Sequence, residues 1–160
     1  MKTKLRIVSI LMAVFMLAAA MTACAGEPDN SDLAAADVYS DLVSKVTFPE
    51  MFALDSDGLL SLVGIESSLY SEAVAYIPLT AVSGNMVFII KTVDDASAET
   101  VAQKLENYRS GALAQMNNYL PAEYDKISAS SVETDGSFVW LVVADDQAAA
   151  VDAVSSYLNK

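Results

Sequence analysis

The chain has no histidine and one cysteine, Cys24, among its 160 residues. Without histidine there is no imidazole to act as general base, to activate a thiol or to hold a transition metal, and most hydrolase mechanisms go with it. One cysteine closes no intrachain disulfide, so the fold must stand on its core alone even where the compartment is oxidising. Basic residues are scarce as well, with nine Lys and Arg against 21 Asp and Glu and a net charge of −12. Such a field repels nucleic acid and anionic head groups, so no nucleic-acid partner is expected. The chain contains no Gly-x-Ser-x-Gly elbow, no phosphate-cradling Gly-x-x-x-x-Gly-Lys and no Ser-x-x-Lys. No catalytic residue, metal or cofactor is expected from what remains, and a non-enzymatic role is the leading reading.

What the chain does have begins at its start. Lys2, Lys4 and Arg6 precede an apolar run from Ile7 to Ala20, and Met21-Thr22-Ala23 leads into Cys24. A basic n-region, an apolar h-region and small residues are the layout of a secretory signal, and a cysteine just after them is the bacterial lipoprotein arrangement. The run meets Pro28 and acidic residues before it reaches the roughly 20 apolar residues of a spanning helix. Residues 1–23 are therefore expected to be a lipoprotein signal peptide, with Cys24 the lipidated residue. Residues 24–30 read as a tether and 31–160 as a single domain. Acyl chains contribute about 0.8 kcal/mol per buried methylene, so a diacylated Cys24 would hold the protein on the extracytoplasmic face of the cell membrane. Without residues 1–23, six basic residues stand against all 21 acids.

Periodicity organises the rest. Ala35, Tyr39, Leu42 and Val46 recur at helical spacing, with Ser31 or Asp32 as the expected cap and an end before Phe48-Pro49. Met51 to Gly64 reads as a loop and a short helix, capped by Asp55 or Ser56 and stopped by a left-handed Gly64. Asp55, Asp57 and Glu66 have the spacing of calcium-loop acids, but position six is Leu60 where that loop needs glycine, so a helix cap is expected instead of a metal site. Ala73–Leu79 reads as a strand whose Pro78 confines that end to an edge or terminus. Met86–Ile90 and Phe138–Ala144 are unbroken apolar runs, the mark of central strands covered on both faces.

After Asp94-Asp95 a long helix is expected to about Tyr119, on a stripe of Val101, Leu105, Tyr108, Ala112, Met116 and Tyr119, with Pro121 stopping it. Ile127–Thr134 reads as a polar edge strand, Asp135-Gly136 as a hairpin turn, and Asp145-Asp146 as the opening of a last helix on Val151, Val154, Tyr157 and Leu158. The order strand, strand, helix thus occurs twice. It predicts a two-layer α+β domain with a four-stranded, mainly antiparallel sheet and an N-terminal helix. Its helices are expected on one face, cover for the other falls to the first helix or to a partner, and a face left uncovered would be a binding surface.

The succession Phe48-Pro49-Glu50-Met51, Gly64-Ile65, Tyr119-Leu120-Pro121-Ala122-Glu123-Tyr124, then Gly136 followed by Val139, Leu141, Val142 and Val143, resembles an uncharacterised family. It is a family of small lipoproteins of Clostridia-like Gram-positive anaerobes, catalogued as a domain of unknown function. The resemblance covers roughly Asp32 to Leu158 and implies a lipid-anchored extracytoplasmic domain. It brings no activity and no site residues.

Chemistry could reside in Asp94, Asp95, Asp145 and Asp146, at corresponding strand-to-helix turns. Two converging carboxylates about 5 to 9.5 Å apart would suit a glycosidase on cell-wall glycan, and calcium could bridge the turns, but aspartate at such places ordinarily caps the helix. Among the aromatics, Tyr70, Tyr76, Tyr119, Tyr124 and Trp140 could stack on sugars. Trp140 lies in an apolar run and reads as core, whereas Tyr119 and Tyr124 flank Pro121 and are the candidate ligand-binding residues. The leading expectation is a ligand- or protein-interaction module whose partners are the membrane, through lipid on Cys24, and an envelope protein or small ligand. The alternatives are a carboxylate-dependent enzyme and an accessory subunit of an envelope complex.

Overall fold

The computed structural model describes residues 30–117 and 119–160. The signal peptide, Cys24 and the tether up to residue 29 lie outside the described residues.

The two apolar runs form the middle of the sheet. Strand β3 (Met86–Thr92) pairs antiparallel with β5 (Phe138–Val143), placing Phe88 opposite Leu141 and Ile89 opposite Trp140. Alternate side chains point to opposite faces. Met86, Phe88, Ile90, Val139, Leu141 and Val143 enter one core cluster, while Val87, Ile89, Phe138, Trp140 and Val142 enter another. Strand β2 (Tyr70–Pro78) flanks β3 and β4 (Val132–Asp135) flanks β5. Beyond β2 lies a strand that sequence reading took for a loop. Residues Met51–Ala53 form β1, antiparallel to β2 with Phe52 opposite Ile77, so the sheet has five strands in the order β1-β2-β3-β5-β4 and not four. Three residues are too few to show a period of two, and only their partner on β2 makes them a strand.

Helices cover both faces, which corrects the two-layer expectation to helix, sheet and helix. On one face lie α1 (Ala35–Lys45) and α5 (Gln147–Leu158), burying Val38, Leu42, Ala150, Ala153, Val154 and Leu158 against Trp140 and its neighbours. Val151, expected on that stripe, is 36% exposed. On the other face lies α3 (Asp95–Met116), burying Val101 and Leu105, beside α4 (Pro121–Ser128), which buries Ile127. The two strand-strand-helix halves therefore exist but send their helices to opposite faces, because two strands apolar on both sides need cover on both. Among the described residues both clusters are built from positions 33–158.

Pro121 does not merely stop α3. It occupies the first turn of α4, where its missing amide costs nothing, and this draws Ile127 out of the expected strand into a helix. Between β1 and β2 a single helical turn, α2 (Ser56–Gly58), runs on into a π-helical turn, Leu59–Val63, that ends at Gly64 with φ +78°. Asp55 caps it by accepting from the Gly58 amide at 2.8 Å, as expected.

The start of α1 is held from a distance. Neither Ser31 nor Asp32 is its cap; Ala34 occupies that position without a side-chain bond, and Glu72 Oε2 on β2 accepts from the Ala35 amide at 2.9 Å. Lys91 Nζ donates to the carbonyls of Ser31 and Leu33 at 2.6 and 2.9 Å. Buried Asn30 clasps the β4–β5 turn, donating to Asp135 O at 2.8 Å and accepting from the Ser137 amide at 3.1 Å. The chain thus joins the domain at the end of the sheet where β3 finishes and α3 starts.

Candidate functional site

The carboxylates do not converge. The antiparallel register sets Met86 against Val143 and Lys91 against Phe138, so Asp94-Asp95 follow one end of the central pair and Asp145-Asp146 the other. Seven residues of strand separate the two turns by about 20 Å. Three of the four acids have a local task. Asp94 accepts from the Ser97 amide at 2.7 Å and caps α3; Asp146 accepts from the Ala149 amide at 3.1 Å and caps α5. Hydrogen bonds from Ser97 hold the Asp94 carboxyl below the usual range. Asp145 pairs with Lys126 at 2.5 Å, and Lys126 also reaches Glu123 at 2.9 Å. Burial pulls the Lys126 ammonium down, but its bonds to Asp145 and Glu123 outweigh this and leave it raised. Among the described residues no group of three or more His, Cys, Asp or Glu could hold a metal ion, and no helix is long and apolar enough to cross a membrane.

The two candidate tyrosines part company. Tyr119 lies beyond the end of α3, off the core stripe on which its spacing had placed it, and is 85% exposed. Tyr124, in α4, is half-buried against the core. Among the described residues they make no ring contact with each other. Trp140 is core, 3% exposed, and its indole N–H has no partner among the described residues. Tyr76 stacks on Tyr39 of α1 with ring centroids 4.7 Å apart, beside a depression of about 340 Å³ bounded by Phe48, Pro49 and Met51. Burial, and then the neighbouring Tyr76, push the Tyr39 hydroxyl up to about 12.

The more extended concavity lies on the opposite face, along α3. Lys104, Asn107, Tyr108, Gly111, Ala112 and Gln115 fall at intervals of three and four, and so form one stripe of the helix. Leu62 and Val63 of the π-helical turn wall that stripe on one side, enclosing about 660 Å³. From Tyr108 and Ala112 onward the wall passes to Ile77–Ala81 at the end of β2, where a narrower hollow of about 210 Å³ reaches Met86, Met116 and Ile127. The two hollows share Tyr108, Ala112 and Gln115 and so adjoin along α3; together they are called the groove.

Its floor is low because Gly111 has nothing within 4 Å of where a Cβ would stand. Tyr108 packs edge-on against Phe88 beneath, at 5.5 Å, and burial raises its hydroxyl. Two apolar side chains of its lining, Leu62 and Leu79, are each more than half exposed. The loop that forms the narrow end is pinned, since the Gly84 amide donates to Glu123 Oε2 at 2.6 Å. Sequence reading missed this groove. Its signal was the pair of small residues, Gly111 and Ala112, amid larger ones on the helix, but what faces them comes from elsewhere in the chain.

One charge stands out there. Five of the six basic side chains of the described residues pair with carboxylates: Lys45, Lys91, Arg109, Lys126 and Lys160. Lys104, at the wide end of the groove, makes no ion pair or hydrogen bond among the described residues. The family described as Domain of unknown function (DUF4358) matches residues 44–144. The chain belongs to that family. No curated protein and no solved structure matches the chain. The DUF4358 span holds all five strands, α3, α4 and every wall of the groove, whereas most of α1 and all of α5 fall outside it.

Proposed function

We propose that this DUF4358 domain is a non-catalytic ligand- or protein-interaction module, held on the outer face of the cytoplasmic membrane by lipid on Cys24. The observation that carries the interaction role is the open concavity along α3, where the apolar Leu62, Val63 and Ala112 stand beside the polar Lys104, Asn107, Tyr108 and Gln115, a mixture of apolar surface and placed polar groups that suits a binding site. Its position suits a tethered protein. The described chain begins at Asn30, at the end of the sheet where α3 starts, and the 22 residues of α3 carry the narrow end of the groove about 33 Å away from that point. Against the carboxylate-enzyme alternative stands the separation of Asp94-Asp95 from Asp145-Asp146, which lie at opposite ends of the sheet and so do not supply its acid pair.

The anchor is tested by detergent-phase partitioning and membrane fractionation of the full chain. Wild type is expected in the detergent phase and Cys24→Ala in the aqueous phase or as uncleaved precursor; a processed, detergent-soluble Cys24→Ala protein would overturn the lipid anchor. The interaction role is tested by photo-crosslinking from position 111 in intact cells. Adducts that disappear when Gly111→Leu fills the floor support it, and adducts indifferent to the groove count against it.

A further inference from the structure

We propose that the groove along α3 binds an aliphatic monocarboxylate, with the chain in the groove and the carboxylate on Lys104. This rests on the interaction-module reading and names the chemistry of its ligand. Leu62, Val63, Ala112, Met116 and Ile127 give the groove an aliphatic strip beside the polar Asn107, Tyr108 and Gln115, and methionine adapts to an irregular guest. The stripe from Lys104 to Met116 is about 18 Å long, which suits an extended chain.

Charge selects the head group. In a protein of net charge −12, five of the six described basic side chains are neutralised by carboxylates, and the remaining one lines this groove. An incoming carboxylate would give Lys104 the partner that the others already have, and a charge-assisted bond at an apolar site is among the stronger ones. An extended peptide fits less well. The groove is walled by helices, by a loop and by the end of β2, whose Ile77 and Pro78 are already paired with β1 and so do not offer a free ladder to a peptide backbone. A docked helix, 10–12 Å across, exceeds the hollow of about 210 Å³ at the narrow end. A second copy of the chain would bring another −12 against the first.

The test is an amide-shift titration of residues 25–160, which include every residue of both described core clusters, with decanoate, decanol and decylammonium below their aggregation concentrations. Decanoate is expected to move Gly111, Ala112 and Gly84 in a saturable way, about tenfold or more tighter than the two analogues. Lys104→Gln should erase that preference, and Gly111→Leu should weaken decanoate and decanol alike. Fluorescence of Trp140, the only tryptophan and on the far face, confirms that each variant is folded. Equal affinity for decanoate and decanol, an undiminished preference in Lys104→Gln, or shifts confined to Tyr39 and Tyr76 would each overturn the proposal. Groove-dependent protein adducts in cells with no decanoate response would overturn it while leaving the interaction module standing. A saturable decanoate response from a chain that fails the partitioning test would sink the anchor and leave this site standing.

Discussion

Gly136→Ala should be among the costliest single-methyl additions in this protein. Gly136 has φ +55°, and a Cβ there would stand 2.5 Å from Asn30 Oδ1 and 2.9 Å from its Cγ and Nδ2. The left-handed backbone costs a side-chain-bearing residue about 1–2 kcal/mol. The overlap also drives the Asn30 carboxamide from its place, and with it go the bonds to Asp135 O, Ser137 N and Ser137 Oγ, each contributing about 0.5–1.5 kcal/mol. The expected loss is about 3–5 kcal/mol, a large share of the roughly 5–15 kcal/mol typical of a domain.

A double-mutant cycle separates the two parts. Asn30→Ala removes the same bonds and also the obstacle, so the double variant should be less destabilised than the sum of the single variants by the bonds counted twice, about 1.5–4.5 kcal/mol. Urea melts followed by Trp140 fluorescence read all four states, because that indole is 3% exposed when folded. Additivity within about 0.5 kcal/mol would refute the claim that Asn30 is what the new methyl meets.

Other perturbations follow from the same geometry. Lys91→Met should free the carbonyls of Ser31 and Leu33 and cost about 1.5–3 kcal/mol, with faster amide exchange over residues 31–36; unchanged exchange there would contradict the clamp. Spectrophotometric titration should find a tyrosine that ionises at about 12 and is missing in Tyr39→Phe. Since that pKa is raised above the unfolded value of about 10, the contribution to stability is full below pH 10 and lost as the pH climbs towards 12. Asp94 has the opposite sign: its lowered pKa contributes stability above about pH 4, lost as the pH falls through the folded value. Asp94→Ala should therefore flatten the acid limb of the stability profile, and an acid limb identical to wild type would be the wrong result for a capping role.

The central strands, the long helix, the Asp-Gly turn and the caps at Asp55, Asp94 and Asp146 were legible because each depends on residues near in sequence: a run of apolar side chains, a period, or a carboxylate three residues from an amide. The double-faced burial of β3 and β5 was legible too, since an unbroken apolar run has no polar face to leave exposed. What failed was whatever needed a partner far along the chain. β1 exists through Ile77, the start of α1 is satisfied by Glu72, and Ile127 changed element because Pro121 can open a helix as readily as it can close one.

By itself, then, the sequence determined that this protein has no imidazole, no disulfide and an acidic surface, and that its core forms around two strands apolar on both sides. Those are properties of composition and local pattern, which no folding can alter. Only the tertiary structure decided that the two aspartate turns lie at opposite ends of the sheet, that Tyr119 and Tyr124 do not share a site, and that a groove runs along α3 with a lysine that has no ion pair among the described residues. Strand direction, and the meeting of residues 62–63, 77–81 and 104–116, are set by long-range pairing, to which a one-dimensional period is blind.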